Sequence, residues 1–232
     1  MLTRIITGAV ALLIFIPVLF FSHTIIFPVV IICVAVIAIF ELLKCVGVFT
    51  KKNISAKDIV LCFFAIVFIA ISFASIIITR NLENGNILYL LIFIGAWSTD
   101  TFAYFTGRLL GRHKLAPKIS PNKTIEGAIG GIVCCTLAFV LYGFIIASLD
   151  MFDAEPNYVL LVCAGLATSG IAIIGDLSMS AIKRKYGIKD FGTIFPGHGG
   201  ILDRFDSVMA VAPAIMIIGS VLSKFGDYGL FV

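Results

Sequence analysis

Charge is what this chain has least of. Asp, Glu, Lys and Arg make up 13% of its 232 residues, against roughly 25% in an ordinary soluble domain. The scarcity goes with a hydrophobic content of 60% and a mean hydropathy of +1.13. Together these exclude a water-soluble globular protein. The six cysteines form no CxxC pair and lie mostly inside apolar runs. They therefore read as small buried hydrophobes, not as a zinc or redox motif. There is no Walker A pattern and no polar stretch long enough for a separate nucleotide domain, which argues against an ATP-driven pump. No low-complexity tract and no obvious internal repeat is present. The front end passes from one apolar run into another without a convincing cleavage site, and reads as a retained first helix.

What the chain does have is a series of apolar runs, each near the ~20 residues that a helical span needs. Spans are expected over 5–21, 25–43, 59–79, 87–106, 125–148, 158–178 and 207–222. The first two form a tight hairpin about Ser22, His23 and Thr24. Pro17 and Pro28 are tolerable there, because neighbouring groups re-satisfy the backbone inside a membrane. The expected fold is all-α: a polytopic membrane protein of about seven transmembrane helices. Residues 1–232 make one membrane domain, with N-terminal helices in 1–86 and a second half, 87–232, carrying two large polar segments, 107–124 and 179–206. Every Lys and Arg except Arg80 and Lys224 falls on the same side as the N-terminus in this scheme. The positive-inside rule then puts the N-terminus and both polar segments in the cytoplasm.

The densest polar run is Ser180 to Asp206. Its centre, Pro196-Gly197-His198-Gly199-Gly200, is a turn that no helix accommodates, and glycines there let the backbone bend tightly and approach a ligand. A helix restarting after it puts Asp203 and Asp206 three residues apart on one face. Upstream, Asp176, Ser180 and Lys183 are spaced i, i+4, i+7, a single helical stripe. A carboxylate within a span costs about 2.5–3.5 kcal/mol on insertion scales, so Asp176 needs a partner or a cavity. One bland answer is a structural ion pair with a nearby Lys or Arg. The other is a cation site: Mg²⁺ takes one or two carboxylates plus phosphate oxygens, and Asp176, Asp203 and Asp206 suit one or two such ions. Lys183, Arg184, Lys189 and Arg204 suit phosphates, and Asp190 and Ser180 suit orientation of substrate or metal. His198, between glycines, fits a turn residue and a substrate contact equally well. A third group begins with Asp100 and Tyr104 on one helical face. It continues through Lys118, Ser120, Lys123 and Glu126, with Thr124 as a helix cap. It suits a triphosphate or a lipid phosphate, with a basic loop merely touching anionic lipid as the plain alternative.

These residues resemble the CDP-diacylglycerol synthase (phosphatidate cytidylyltransferase) family. The family's C-terminal signature, S-x-x-K-R, four residues, K-D-x-G, then P-G-H-G-G-x-x-D-R-x-D, is met by Ser180, Lys183, Arg184, Lys189, Asp190, Gly192, Pro196–Gly200, Asp203, Arg204 and Asp206. The likeness covers roughly Trp97 to Ser207, while many family members have a longer front end with extra spans. It implies a multi-pass inner-membrane enzyme of phospholipid biosynthesis, Mg²⁺-dependent and often homodimeric. Its substrates would be CTP and phosphatidate, with no nucleic acid involved, and its products CDP-diacylglycerol and pyrophosphate. Asp176, Lys183, Asp203 and Asp206 would be catalytic, the three aspartates through metal. Ser180, Arg184, Lys189, Asp190, His198, Arg204, Asp100, Tyr104, Lys118, Ser120, Lys123 and Glu126 would complete the substrate site. The rival readings are a CTP-dependent lipid kinase of the dolichol or phytol type, and an ion-coupled transporter using Asp100 and Asp176 as relay groups.

Overall fold

The computed structural model describes residues 2–49, 54–149, 155–197, 199–222 and 229–231, the side chains of 2–6 and 12 excepted. Seven helices follow one another: α1 (Leu2–Phe20), α2 (Ile26–Val46), α3 (Ala56–Arg80), α4 (Gly85–Leu110), α5 (Ile125–Ser148), α6 (Tyr158–Lys185) and α7 (Leu202–Leu222). Six of them, α2 to α7, are long and apolar enough to cross a membrane, and the 19-residue α1 makes a possible seventh. The first pair is the helical hairpin expected from the sequence, turning at residues 21–25.

Two helices overrun their apolar segments. α4 continues to Leu110, and α6 continues to Lys185 with Lys183, Arg184 and Lys185 in its last turn, where cations complement the helix dipole. α7 starts at Leu202, ahead of the apolar run that begins at Ser207, so both Asp203 and Asp206 are helical, as expected from a helix restarting after the glycine turn. Between α4 and α5 the chain departs from the all-helical expectation. Residues Lys114–Ala116 (β1) and Ser120–Thr124 (β2) form a small antiparallel hairpin, with Lys114 opposite Thr124 and Ala116 opposite Ser120. Pro117 and Pro121 explain it: proline disfavours a helix here and pushes the residue before it into extended backbone. Thr124 ends the hairpin and caps α5, its hydroxyl accepting from the N–H of Gly127 at 3.1 Å.

The core runs the length of the bundle through Ile69, Leu91, Ile92, Phe139, Leu161, Leu202 and Ile215, all fully buried. The outer surface is equally apolar, with Leu13, Phe20, Ile25, Leu109 and Val159 among the most exposed side chains. An oily outside suits a protein solvated by lipid tails, not water. Polar side chains in mid-span are satisfied by their own helices: Ser72, Ser75, Thr79, Thr99 and Thr168 each donate to the carbonyl four residues back. No buried side-chain N or O among the described residues lacks a partner.

Helices in lipid associate through close packing of small residues, since lipid supplies no hydrophobic drive between them. α4 and α5 meet this way at Gly127 and Gly131. A Cβ on Gly131 would lie 2.8 Å from the Thr99 carbonyl oxygen and 3.0 Å from the Ala103 Cβ. Gly170, on α6, has nothing within 4 Å of the same position. Gly131→Ala is therefore expected to destabilise the detergent-solubilised protein by about 1–3 kcal/mol through overpacking. Gly170→Ala should be neutral or stabilise by about 0.5–1 kcal/mol through helix propensity. Unfolding midpoints of the two variants against the parent check both.

Candidate active site

The stripe on α6 is real and faces α7. Ser180 Oγ donates to Asp176 Oδ1 at 3.2 Å, and one turn further on Lys183 Nζ lies 2.8 Å from Asp203 Oδ1 and 4.0 Å from Asp206 Oδ2. Lys183, Asp203 and Asp206 are all buried. A buried charge survives only if paired and further hydrogen-bonded, and Asp203 is both. Its Oδ2 accepts from the backbone N–H groups of Phe191 at 2.7 Å and Gly200 at 2.9 Å. Lys183 also stands 5.4 Å from the ring centroid of Phe191.

The glycine turn closes this arrangement. Gly197 and Gly199 take φ of +81° and +86°, a region that side chains rarely enter, and the N–H of Phe195 donates to the Gly199 carbonyl at 2.9 Å. His198 lies outside the described residues. Two more carboxylates join from neighbouring elements. Asp176 forms an ion pair with Lys123 of β2, the bland pairing anticipated from the sequence. Asp100 of α4 accepts from Ser207 Oγ at 2.7 Å, while the N–H of Ser207 donates to Asp206 Oδ1 at 3.0 Å.

A cavity of about 530 Å³ lies between α4, the β1–β2 hairpin, α5, α6 and α7. Of the expected site residues it brings together Asp100, Tyr104, Lys123, Asp176, Lys183, Asp190, Asp203, Arg204 and Asp206. A second cavity of about 600 Å³ abuts it and is mostly apolar, walled by Ala11, Ile14, Phe15 and Val18 of α1, Val30 and Val34 of α2, and Trp97 of α4. Asp100, Asp203, Arg204 and Asp206 line both. The site thus has a charged side and an oily side meeting at four ionisable residues.

Other expected residues stand outside the cavity lining. Ser180 is buried against Asp176. Arg184 donates to the carbonyls of Ile119 and Ile188 at 3.1 and 3.2 Å, tying α6 to the hairpin. Glu126 caps the hairpin's start, accepting from the N–H groups of Arg112 and His113 and from His113 Nδ1 at 2.6 Å. Lys118 and Lys189 are exposed, and Ser120 is half-buried in β2. Residues outside the expected substrate set also contribute. Arg108, one helical turn from Tyr104 and 3.2 Å from its hydroxyl, lines the charged cavity with Asn122 and Thr124. Glu41 of α2 and Asp58 of α3 reach the same end of the bundle. Asp58 binds Lys185 Nζ at 2.9 Å and accepts from the Tyr186 hydroxyl at 2.8 Å. Burial and that hydrogen bond hold the Tyr186 phenol above its ordinary pKa. Glu41 had a readable signal, a lone carboxylate in an apolar run.

Among the described residues no three carboxylate, histidine or cysteine side chains stand close enough to hold a metal by themselves. The hard oxygens of Asp100, Asp176, Asp203 and Asp206 nevertheless line one cavity. Carboxylates and cations are nearly balanced there, five aspartates against Arg108, Lys123, Lys183 and Arg204. A polyphosphate entering it would find no positive excess. The donor set fits Mg²⁺, which keeps waters and takes one or two carboxylates together with phosphate oxygens.

Comparison with known proteins bears on this geometry. Three curated relatives are named phosphatidate cytidylyltransferase. The protein from Staphylococcus haemolyticus is 41% identical over 184 residues, 79% of this chain and 68% of its own length. That from Staphylococcus epidermidis is 43% identical over 172 residues, 74% of this chain and 63% of its own. That from Staphylococcus aureus is 42% identical over 171 residues, with the same shares. The chain therefore spans about two thirds of the length of these relatives. A family model described as "Cytidylyltransferase family" matches residues 45–222, a segment that contains every element lining the charged cavity, and the chain belongs to that family.

Proposed function

We propose that this chain transfers a cytidylyl group from CTP to phosphatidate, giving CDP-diacylglycerol and pyrophosphate. The observation that carries the reading is the junction of the two cavities. A triphosphate needs the charged side, a diacylated phosphate needs the oily side, and the reacting phosphates meet where Asp100, Asp203, Arg204 and Asp206 line both. A phosphate oxygen of phosphatidate attacks the α-phosphorus of CTP, the bond from that phosphorus to the bridging oxygen breaks, and pyrophosphate leaves. The attacking oxygen is already an anion, so little general-base help is required. The barrier lies in bringing anions together and stabilising the leaving group, which makes positioning and charge neutralisation the main catalytic contributions.

Lys123 and Lys183 hold carboxylates in this structure and are placed to exchange them for phosphate oxygens. Arg204 and Arg108 add cations on the lining. Asp176, Asp203 and Asp206 would hold Mg²⁺, which supplies the positive charge that the residues alone do not. The reading includes a cytoplasmic N-terminus and active site in a cell (inner) membrane, following the distribution of basic residues. It also includes the homodimer implied by the family resemblance, which the mass of the solubilised particle tests. The kinase alternative would release CDP. The relatives' printed names favour cytidylyl transfer.

Purified protein given labelled CTP, phosphatidate and Mg²⁺ should release pyrophosphate, and release of CDP instead would overturn the reading. Asp203→Asn should lower kcat by about 10²–10³-fold, the range for losing one preorganised electrostatic group, in protein that stays folded by size-exclusion with a lowered melting point. Ala11→Trp should fill the oily cavity. It is expected to raise KM for phosphatidate about tenfold, within the 1–3 kcal/mol typical of overpacking, and to leave KM for CTP alone. In a cysteine-free background, Lys118→Cys should react with an impermeant thiol reagent only once inside-facing surfaces are opened, as the cytoplasmic assignment requires.

A further inference from the structure

We infer that Glu41, on α2, is a positioning residue that sets the loop from which Asp203 acts. This rests on the cytidylyl-transfer reading. Glu41 is only 3% exposed, in a helix otherwise dominated by apolar residues. Its Oε1 accepts from the N–H of Ile201 at 3.1 Å and its Oε2 from the N–H of Leu202 at 2.8 Å. Those are donors at the start of α7, and among the described residues no side chain of α7 itself accepts from them. A carboxylate is well placed there, since the start of a helix carries free N–H groups and partial positive charge. Here it comes from a helix 160 residues away in sequence.

The loop is divided between two carboxylates. Glu41 takes Ile201 and Leu202; Asp203 takes Phe191 and Gly200. Gly200 and Gly192 both press against the Glu41 carboxylate, and a Cβ at either would collide with it. On the loop's other side Thr7 of α1 donates to the Pro196 carbonyl at 3.4 Å. The orientation of Asp203 is thus fixed from α6 by Lys183 and from the N-terminal helices through the loop. The segment matched by the family model begins at residue 45, past Glu41. Glu41 lines neither cavity, so it acts through Asp203 and not on substrate.

Partners of this kind, one step removed from a metal or phosphate site, typically change metal affinity or activity by about 10–100-fold. Glu41→Gln keeps the shape and one acceptor oxygen; Glu41→Leu keeps neither. Half-saturation by Mg²⁺ and kcat should worsen about tenfold in E41Q and about a hundredfold in E41L, with KM for phosphatidate unchanged in both. Gly192→Ala, which crowds the same carboxylate, should shift Mg²⁺ half-saturation in the same direction. Independently of turnover, hydrogen exchange in the peptide spanning 191–202 should quicken in E41Q in protein free of Mg²⁺ and CTP. A purely structural role predicts a lower yield or melting point, with parental Mg²⁺ half-saturation and exchange in the folded fraction. That result would overturn the inference, and if E41L does not fold, E41Q and Gly192→Ala decide. Parent protein that turns over no CTP would sink the reaction reading instead, while the exchange measurement would still judge the role of Glu41.

Discussion

One carboxylate holds the polar end of the bundle together. Asp203 is bonded to α6 through Lys183, to the glycine turn through Gly200 and to the segment before the turn through Phe191. Each bond answers the same constraint: a charge beneath the surface of an oily bundle must be matched in sign and saturated in hydrogen bonds. Removing one partner of such a pair costs about 3–5 kcal/mol, because the other charge stays buried alone. The residues best suited to handling phosphates are therefore also the ones that fasten the helices there. Under the proposed reaction, function and local stability share the same atoms.

The neighbouring interactions extend this logic outward. Lys123 and Asp176 join the hairpin to α6, Arg184 joins α6 to Ile119, and Lys185 with Tyr186 joins α6 to Asp58 on α3. The exposed pairs contribute little individually, since solvent screens them. The enclosed ones fix register between elements that apolar packing alone would let slide. Close helix approach does the rest: at Gly175 of α6 a Cβ would lie 3.2 Å from the Asp206 carbonyl oxygen. The absence of a side chain there lets α6 and α7 bring Asp176 and Asp206 to one cavity.

Most of the architecture was legible because lipid imposes it. Apolar run length marked the helices, and the i, i+4, i+7 spacing of Asp176, Ser180 and Lys183 correctly gave one face of α6. The small hairpin lay outside the all-helical expectation, although Pro117 and Pro121 carried its signal in the backbone. The site was legible where its residues sit close in sequence, as with Asp203 and Asp206. It was less so where identity suggested ligand contact and geometry gives structure. Arg184 and Glu126 hold backbone groups, a role that depends on where loops turn and leaves no periodic trace. Glu41 follows the same pattern. Its partners are backbone N–H groups far along the chain, and no side-chain pattern points to them.

The placement of charge also weighs against a relay across the membrane. A transport path needs ionisable groups at successive depths. Among the described residues, several polar side chains within the spans are hydroxyls turned back on their own helices, such as Ser72 and Thr168. The carboxylates and lysines of α2, α4, α6 and α7 instead converge on the hairpin and the glycine turn, where Asp100, Asp176 and Asp203 share one cavity. That cavity abuts a mostly apolar one. Near-balance of sign inside it suits the proposed chemistry better than passage: the lysines and aspartates are paired with one another, and under the proposal phosphates and cations would exchange partners with them without leaving any charge buried alone. A conduction path would have no use for an oily chamber joined at the same aspartates, whereas a diacylated phosphate requires one.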